Sequence, residues 1–533
     1  MPETRPASAP FLRPGLAFAF ATVAFVWWRV SENTADNDLW GHVLYGQRML
    51  HLGGLETVET LSWSAAGQPW INHEVLAEVI LGLTHRLAGG SGLWWLMIGL
   101  ATLTLGGAGR AGAGRTAPQQ LTALGLLALC GNSIALGYAV RPQLFTLLAF
   151  VVLLTALRRF LDGRLRWGFV PPLLLAVWVN THGGFLAGWL IAAVILGTEF
   201  IFGFIPSLPP WLRSTPATLS RPVLLAAGAA GTLALLANPW GAHLVIWTLE
   251  TLQLPRPDIT EWHPTTLSAA TVPFYFTIGL GLVAWILTRQ PRRLGEMVAW
   301  GLLAFFALRH QRHAPLFGLA TVMLLPAHVL DLLQRLAPAT QGLRAALARP
   351  ALRGALVLLL FVGGAWCLRS SVTAPRLHPF RMEVPRDLYP VAALDHIRTH
   401  RLNGNTITFF DWGQQVLWEL PDNPVSFDGR LDTVYPTPLM DAHWRLYAGE
   451  EPGPSLPLDQ ARVALLPTGS GGVRLLLTRG WLMTYEDPLA TVLIRPVGNV
   501  SARPVLQRAG VEAITGSVPF PDTPPVLATR FPR

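Results

Sequence analysis

Long apolar stretches, separated by short segments carrying arginine, fill the first 370 or so positions of the chain. Runs approaching the roughly 17–25 residues that a bilayer-crossing helix needs fall near 14–30, 91–108, 118–138, 142–157, 167–180, 183–203, 221–238, 271–288, 296–308, 314–331 and 353–369. They predict about eleven spanning helices. A twelfth candidate, 74–88, carries Glu74, Glu78, His85 and Arg86 and reads as an amphipathic helix at the membrane interface. After Arg369 the periodicity changes. Residues 370–390 are rich in Pro and Arg and read as a linker. Beyond them the pattern predicts helices near 390–401 and 413–420 and strands at 405–410 and 424–428. Further apolar runs follow at 461–466, 473–478 and 490–495, with two strands around the Asp487-Pro488 turn. The expected organisation is a membrane all-α domain over 1–369 with a long first loop at 31–90. A small α/β domain over 391–515 and a disordered tail over 516–533 complete it.

Composition supports the membrane reading. Hydrophobic residues make up 51% of the 533 positions and charged residues 13%, against about 25% charged in a soluble domain. The 21 Trp suit membrane interfaces. The net charge of +9 comes from arginine alone, which reads as the habit of a GC-rich bacterial genome. No basic soluble domain accompanies it, so a nucleic-acid partner is not expected. Cys130 and Cys367 both lie in apolar runs, and no disulfide is predicted. The first apolar run lacks a small-residue cleavage site and reads as a retained span.

Arginine sets the orientation. With the N-terminus inside and 74–88 not spanning, the inner loops hold Arg110 and Arg115, then Arg158, Arg159, Arg164 and Arg166, then Arg213 and Arg221. Arg289, Arg292 and Arg293 follow, and last Arg335, Arg344, Arg349 and Arg353. The first loop is acidic. This predicts a cytoplasmic N-terminus and a periplasmic C-terminal domain in a bacterial inner membrane. One stretch departs from the rule: Arg309-His310-Gln311-Arg312-His313 falls outside, as an anion site would. Snorkelling of two helix-end arginines is the blander explanation.

The same topology collects the unusual polar residues on the outer face. Asp36 and Asp38 (DNDLWGH) are followed by His42; Asn72, His73 and Glu74 (PWINHE) end the first loop. Arg141 opens a span, Asn180 and His182 (VNTHGG) occupy a tight turn, and Glu261 and His263 precede another span. The chemistry that fits is transfer involving a lipid-linked anion. One carboxylate of the Asp36/Asp38 pair would take a proton from an acceptor hydroxyl. Arg141, Arg309 and Arg312, with His310 and His313, would hold the donor phosphate. His42, Asn72, His73, Glu74, Asn180, His182, Glu261 and His263 would line the substrate. Against this, Asp38 is also a fitting N-cap for a helix starting near Leu39, and Asn238 before Pro239 a fitting helix stop. In the C-terminal domain Asp428, Arg430 and Asp432 form either a salt-bridged turn or an acceptor contact. The histidines also permit a divalent metal, drawn from His310, His313, His73, Glu74 and His42, but no HExxH spacing occurs. No cofactor is predicted, and without CxxCH haem handling is weaker still.

The stretch from Asp36 to Gly92 resembles the first outer loop of bacterial GT-C membrane glycosyltransferases, the superfamily of protein O-mannosyltransferases and the lipid A aminoarabinose transferase. Its order is an acidic pair, a jaw helix at 39–51, Pro69 and a second helix at 74–88. More narrowly, the chain is similar to a group of bacterial proteins with recurring DPDLWWH, W-x-N-HE, ARP, W-x-N-x-HGG, RH-x-RH and WGGYLLW…FIDGR segments. Here these read DNDLWGH, WINHE, VRP, WVNTHGG, RHQRH and WGQQVLW…SFDGR, departing at Asn37, Gly41 and Gln414–Gln415. The resemblance implies a polyprenyl-phosphate sugar as donor, a hexosyl or pentosyl group transferred, and Asp36 or Asp38 as the catalytic acid. It further implies a glycan, lipid or protein acceptor entering from the periplasm. The alternatives are a transporter or flippase of lipid-linked glycans, or a scaffold of the same fold without activity. No internal repeat of the transporter kind is evident.

Overall fold

The computed structural model describes residues 14–202, 219–252, 259–373, 379–496 and 505–523. Arg213 of the expected inner loops and the tail from 524 lie outside them. The chain forms two compact units: residues 1–32, 97–138 and 143–374, and residues 33–96, 139–142 and 375–533.

The first unit is helical, and its helices follow the apolar runs closely. Pro14–Val30, Ala117–Ala135, Gln143–Leu161, Phe185–Phe202, Val272–Leu287 and Pro350–Thr373 each match one run. The run at 314–331 is broken into Ala314–Leu324 and Pro326–Arg335, and the bend across this break is 61°. Pro326 cannot donate to the preceding turn, which places the break. By length and composition four described helices can cross a membrane, or five if the bent pair is one span. Pro14–Val30, Leu165–Trp178, Arg221–Ala234 and Val272–Leu287 are apolar but shorter. The chain is a multi-pass membrane protein, and the count of eleven is not reached on this criterion. Tight seams hold the bundle together. Phe20 packs on Phe361 and Trp28 on Trp366, both with centroids 5.2 Å apart. Two indoles inside it are partnered: Trp300 Nε1 donates to Thr321 Oγ1 at 2.9 Å and Trp178 Nε1 to Thr146 Oγ1 at 2.8 Å.

The second unit joins the first loop to the C-terminal residues. Its larger sheet has five strands: β2 (Thr406–Thr408), β3 (Val463–Pro467), β4 (Leu482–Glu486), β5 (Ala490–Ile494) and β6 (Gln507–Arg508), with β1 (Glu383–Pro385) and β7 (Ser517–Pro519) elsewhere. The order is β2-β3-β5-β4-β6, antiparallel at β3/β5 and β5/β4 and parallel at the two edges. The β4–β5 hairpin turns where expected, because Asp487 Oδ1 accepts the backbone N–H groups of Leu489 and Ala490, both at 2.7 Å. The expected strand at 424–428 makes only isolated bridges at Val425, to Ser62 and Thr406. The 473–478 run is part of a helix, Gly471–Thr478.

Three boundaries differ from the sequence reading. Residues 33–96 belong with the C-terminal residues, through backbone contacts such as Ala35 N–Glu383 O at 2.7 Å and Trp63 N–Val425 O at 3.1 Å. The expected linker contains β1 and the buried Tyr389. The expected disordered tail is ordered as far as Thr523: β7 pairs antiparallel with β1, and Phe520 is fully buried against Trp40, Trp418 and His85.

Candidate active site

The helix Leu39–Leu52 starts immediately after the acidic pair, and Asp38 sits at its N-cap position without capping it by its side chain. The carboxylate is turned elsewhere. Arg141 Nη2 lies 3.0 Å from Asp38 Oδ2, and Arg141 Nε donates to Asp36 Oδ1. The same Asp36 oxygen accepts the Asp38 backbone N–H at 3.0 Å, so the two side chains are held in a fixed relation. Asn37, between them, accepts from Arg141 Nη2 at 2.8 Å and donates to Asp411 Oδ1 at 2.9 Å. Burial and the nearby Asp36 charge hold the Asp411 carboxyl above its ordinary range, against the Asn37 bond. The result is one cation among three carboxylates, with the side chains of Arg141, Asp36 and Asp38 21%, 19% and 22% exposed.

One turn further on lies a second cluster. His42 faces Glu78, with Nδ1 to Oε1 at 3.2 Å, and Glu74, at 3.7 Å. Two glycines bring their helices together. A Cβ on Gly46 would lie 1.8 Å from the Glu78 carbonyl oxygen, and one on Gly82 2.7 Å from Gln47 N. Gly46 follows His42 by one turn and Gly82 follows Glu78 by one turn, so the contact that admits the backbones also aligns the side chains. Asn72 Nδ2 donates to Glu78 Oε2 at 2.6 Å, and Asn72 Oδ1 accepts the Glu74 N–H at 3.0 Å. His73 Nε2 stands 3.8 Å from Glu74. Burial alone would lower the His42 imidazole, but the Glu78 hydrogen bond and the Glu74, Glu78 and Asp38 charges raise it to about 9. Burial, Glu78 and Asp38 push the Glu74 carboxyl up to about 7, against the pull of His42 and Arg141. The donor atoms of His42, Glu74 and Glu78 all lie within 4.8 Å of one another.

The FDGR segment is a salt-bridged turn. Arg430 grips Asp428 with two bonds, at 2.9 and 2.7 Å, and donates to Glu59 from its other side. Tyr435 adds a hydrogen bond to Asp428 at 2.7 Å, and Trp70 lies under the guanidinium at 4.9 Å. All of it is buried. Removing one member would strand a buried charge, at a cost of about 3–5 kcal/mol. This cluster fastens the first loop to the C-terminal residues.

The remaining sequence-predicted residues fall in the first unit. His182 Nδ1 accepts the Gly184 N–H at 3.0 Å and pairs with Thr146 Oγ1 at 2.9 Å. Asn180 Nδ2 donates to the carbonyls of Ala176 and Ala237, at 2.9 and 2.8 Å. Asn238 fills the helix-stop role, donating to the Leu235 and Gly241 carbonyls at 2.8 and 3.0 Å. Arg312 stacks over Trp262 at 4.4 Å and stands 3.7 Å from Glu261. The ring of His310 bonds the Trp262 carbonyl at 2.6 Å, and the ring of His313 lies 6.0 Å from it. Gln311 N donates to the His263 carbonyl at 3.1 Å. Arg309 ends the helix Leu294–Arg309 and is exposed. Thus Asp36, Asp38 and Arg141 gather in one cluster, and His42, Asn72, His73 and Glu74 in the adjoining one. Glu261, His263 and the Arg309–His313 segment gather in the other unit. The sequence reading missed Asn37, Asp411 and the role of Glu78. The last had a signal, since Glu78 follows Glu74 at helical i, i+4 spacing.

No family model matches the chain, and no curated protein matches it. Solved structures do. The apo oligosaccharyltransferase of Archaeoglobus fulgidus superimposes with a TM-score of 0.53 at 12% identity, over 92% of this chain and 75% of that one. An archaeal oligosaccharyltransferase AglB from Archaeoglobus fulgidus, in complex with an inhibitory peptide and a dolichol-phosphate, gives 0.52 at 12% identity, over 85% and 69%. Apo ArnT from Cupriavidus metallidurans gives 0.49 at 15% identity, over 90% and 97%. The chain shares the fold of these archaeal oligosaccharyltransferase structures.

Proposed function

We propose that the chain is a membrane glycosyltransferase that moves a sugar from a polyprenyl-phosphate donor to an acceptor at the periplasmic face. The observation that carries this reading is the Asp36–Arg141–Asp38 cluster, built on the loop after the first helix of a GT-C fold. A carboxylate of the pair takes the proton from the acceptor hydroxyl as its oxygen attacks the anomeric carbon. The bond from that carbon to the phosphate oxygen breaks, and polyprenyl phosphate leaves with the electron pair. Arg141 offsets the charge on the leaving phosphate, and Arg309, Arg312, His310 and His313 of the RHQRH segment are anion-binding candidates by their residue types. His42, Asn72, His73 and Glu74 line the bound substrates in this scheme. The residues present also fit a divalent cation at His42, Glu74 and Glu78, and such an ion would supply further positive charge for a phosphate. No step above passes through it.

The test is turnover of radiolabelled polyprenyl-phosphate sugars by purified protein in lipid. Asp36→Asn or Asp38→Asn is expected to lower the rate at least about a hundredfold, the scale of a lost general base, with the thermal transition kept. Equal rates in both variants and wild type would overturn the assignment. One observation favours a second reading, an inactive scaffold: both aspartates and Arg141 are already bonded to one another. Absence of turnover over a broad donor and acceptor panel would select it.

A further inference from the structure

The transfer scheme gives His42 and Glu74 only a lining role and leaves Glu78 without one. Its construction is more elaborate than an ion pair requires. Two helices are brought into backbone contact at Gly46 and Gly82. Asn72, a single side chain, then holds the Glu78 carboxylate by Oε2 and accepts the backbone N–H of Glu74. Glu78 Oε1 is thereby turned toward His42 Nδ1, 3.2 Å away, with Glu74 Oε2 at 3.7 Å from the same nitrogen. A neutral side chain that orients a carboxylate from behind is the arrangement metal centres use to aim their ligands.

The donor types narrow the choice of ion. One imidazole and two carboxylates suit a divalent transition ion, whereas Mg²⁺ and Ca²⁺ prefer oxygen alone. Three protein donors leave coordination positions open to water or to an anionic oxygen. The charges also balance, since two carboxylates match the 2+ of the ion.

We infer that His42 Nδ1, Glu74 and Glu78 bind a divalent transition ion, Mn²⁺ or Zn²⁺, beside the acidic pair. On binding, the metal–nitrogen bond replaces the His42–Glu78 hydrogen bond. Any proton on the imidazole or on Glu74 passes to solvent, and both carboxylates bind as anions. Metal occupancy is measured without turnover, so its failure and the failure of the transfer reading are separate results.

The experiment uses the full chain in lipid nanodiscs, stripped with EDTA and titrated with Mn²⁺ under paramagnetic resonance. Roughly one ion per chain is expected, with ¹⁴N coupling from an imidazole in the pulsed spectrum of the wild type. His42→Gln should abolish that coupling, and His42→Gln and Glu78→Gln should each weaken binding about tenfold or more. Asp36→Asn should leave the spectrum unchanged. Absence of a stoichiometric ion, absence of ¹⁴N coupling in the wild type, or coupling that persists in His42→Gln would each overturn the assignment. So would binding that is lost in Asp36→Asn and kept in Glu78→Gln, which would move the ion to the acidic pair.

Discussion

His42 is charged where an ordinary buried imidazole would be neutral, and the sign of its effect on stability can be worked out. Its folded value of about 9 lies above the unfolded 6.5, so the folded state holds the extra proton between those values. The stabilisation is complete below pH 6.5 and is lost as pH rises through 9. It is worth on the order of 3 kcal/mol. Glu74, raised from 4.5 to about 7, acts in the same direction between those two values. In chelator-treated protein the melting temperature should therefore fall steadily from pH 5 to pH 9. His42→Gln should flatten the upper part of that profile, and an unchanged slope would disprove the ion pair. The aspartates, Arg141, His42 and Glu74 were all legible as chemistry-bearing residues. Asp411 was not, because its tie to Asn37 spans 374 positions and no local spacing announces it. Asn37 looked like a neutral departure from Pro, yet proline has no side-chain amide and could bond neither Arg141 nor Asp411.

Two other departures from the similar bacterial proteins turn out to be one event at the level of packed elements. Those proteins carry Trp where Gly41 stands and Gly where Gln414 stands. Here the Gln414 side chain fills the space beside Gly41: a Cβ on Gly41 would lie 2.3 Å from Gln414 Oε1, which accepts the Gly41 N–H at 3.1 Å. Gly41→Trp alone should destabilise the protein by about 1–3 kcal/mol through overpacking. Gln414→Gly alone should cost less. Together they should be less harmful than their sum by about 1 kcal/mol or more, read by a double-mutant thermal cycle; additivity would break the link. The amphipathic segment 74–88 shows what pattern can and cannot deliver. Its helical character and its separation from the following run were legible, and the break falls at Ala88–Gly89, where Gly89 adopts φ +57°. The direction of its polar face was not, since Glu78 and His85 are buried while Leu83 and Leu87 are 43% and 76% exposed. A face of leucine turned outward suits lipid headgroup depth.

For the molecule as a whole, periodicity located nearly every helix of the first unit but not the composition of the second. Apolar period reports on neighbours in sequence, whereas residues 33–96 and 375–533 cohere through aromatic packing and single backbone bridges. Phe520 is the clearest case, an aromatic in a Pro-rich segment that nonetheless reaches the core. Phe520→Ala should cost about 3–5 kcal/mol, measured by urea unfolding, and a chain ending at 515 should be degraded more than that variant. A disordered tail would leave both unaffected. The orientation inferred from arginine is checked by fusions at the C-terminus: alkaline phosphatase should be active there and green fluorescent protein dark, and the reverse would invert the topology.

The interleaved order of the second unit also sets a clock. Asp36 and Arg141 are 105 positions apart, whereas Asn37 and Asp411 are 374 apart. During synthesis Arg141 reaches the aspartates' side of the chain before the later helices are made, whereas Asp411 follows only after them. A half-made chain thus carries the acidic pair without the Asn37–Asp411 bond. The loop that carries the acidic pair is thus secured in two stages, early by Arg141 and late by Asp411.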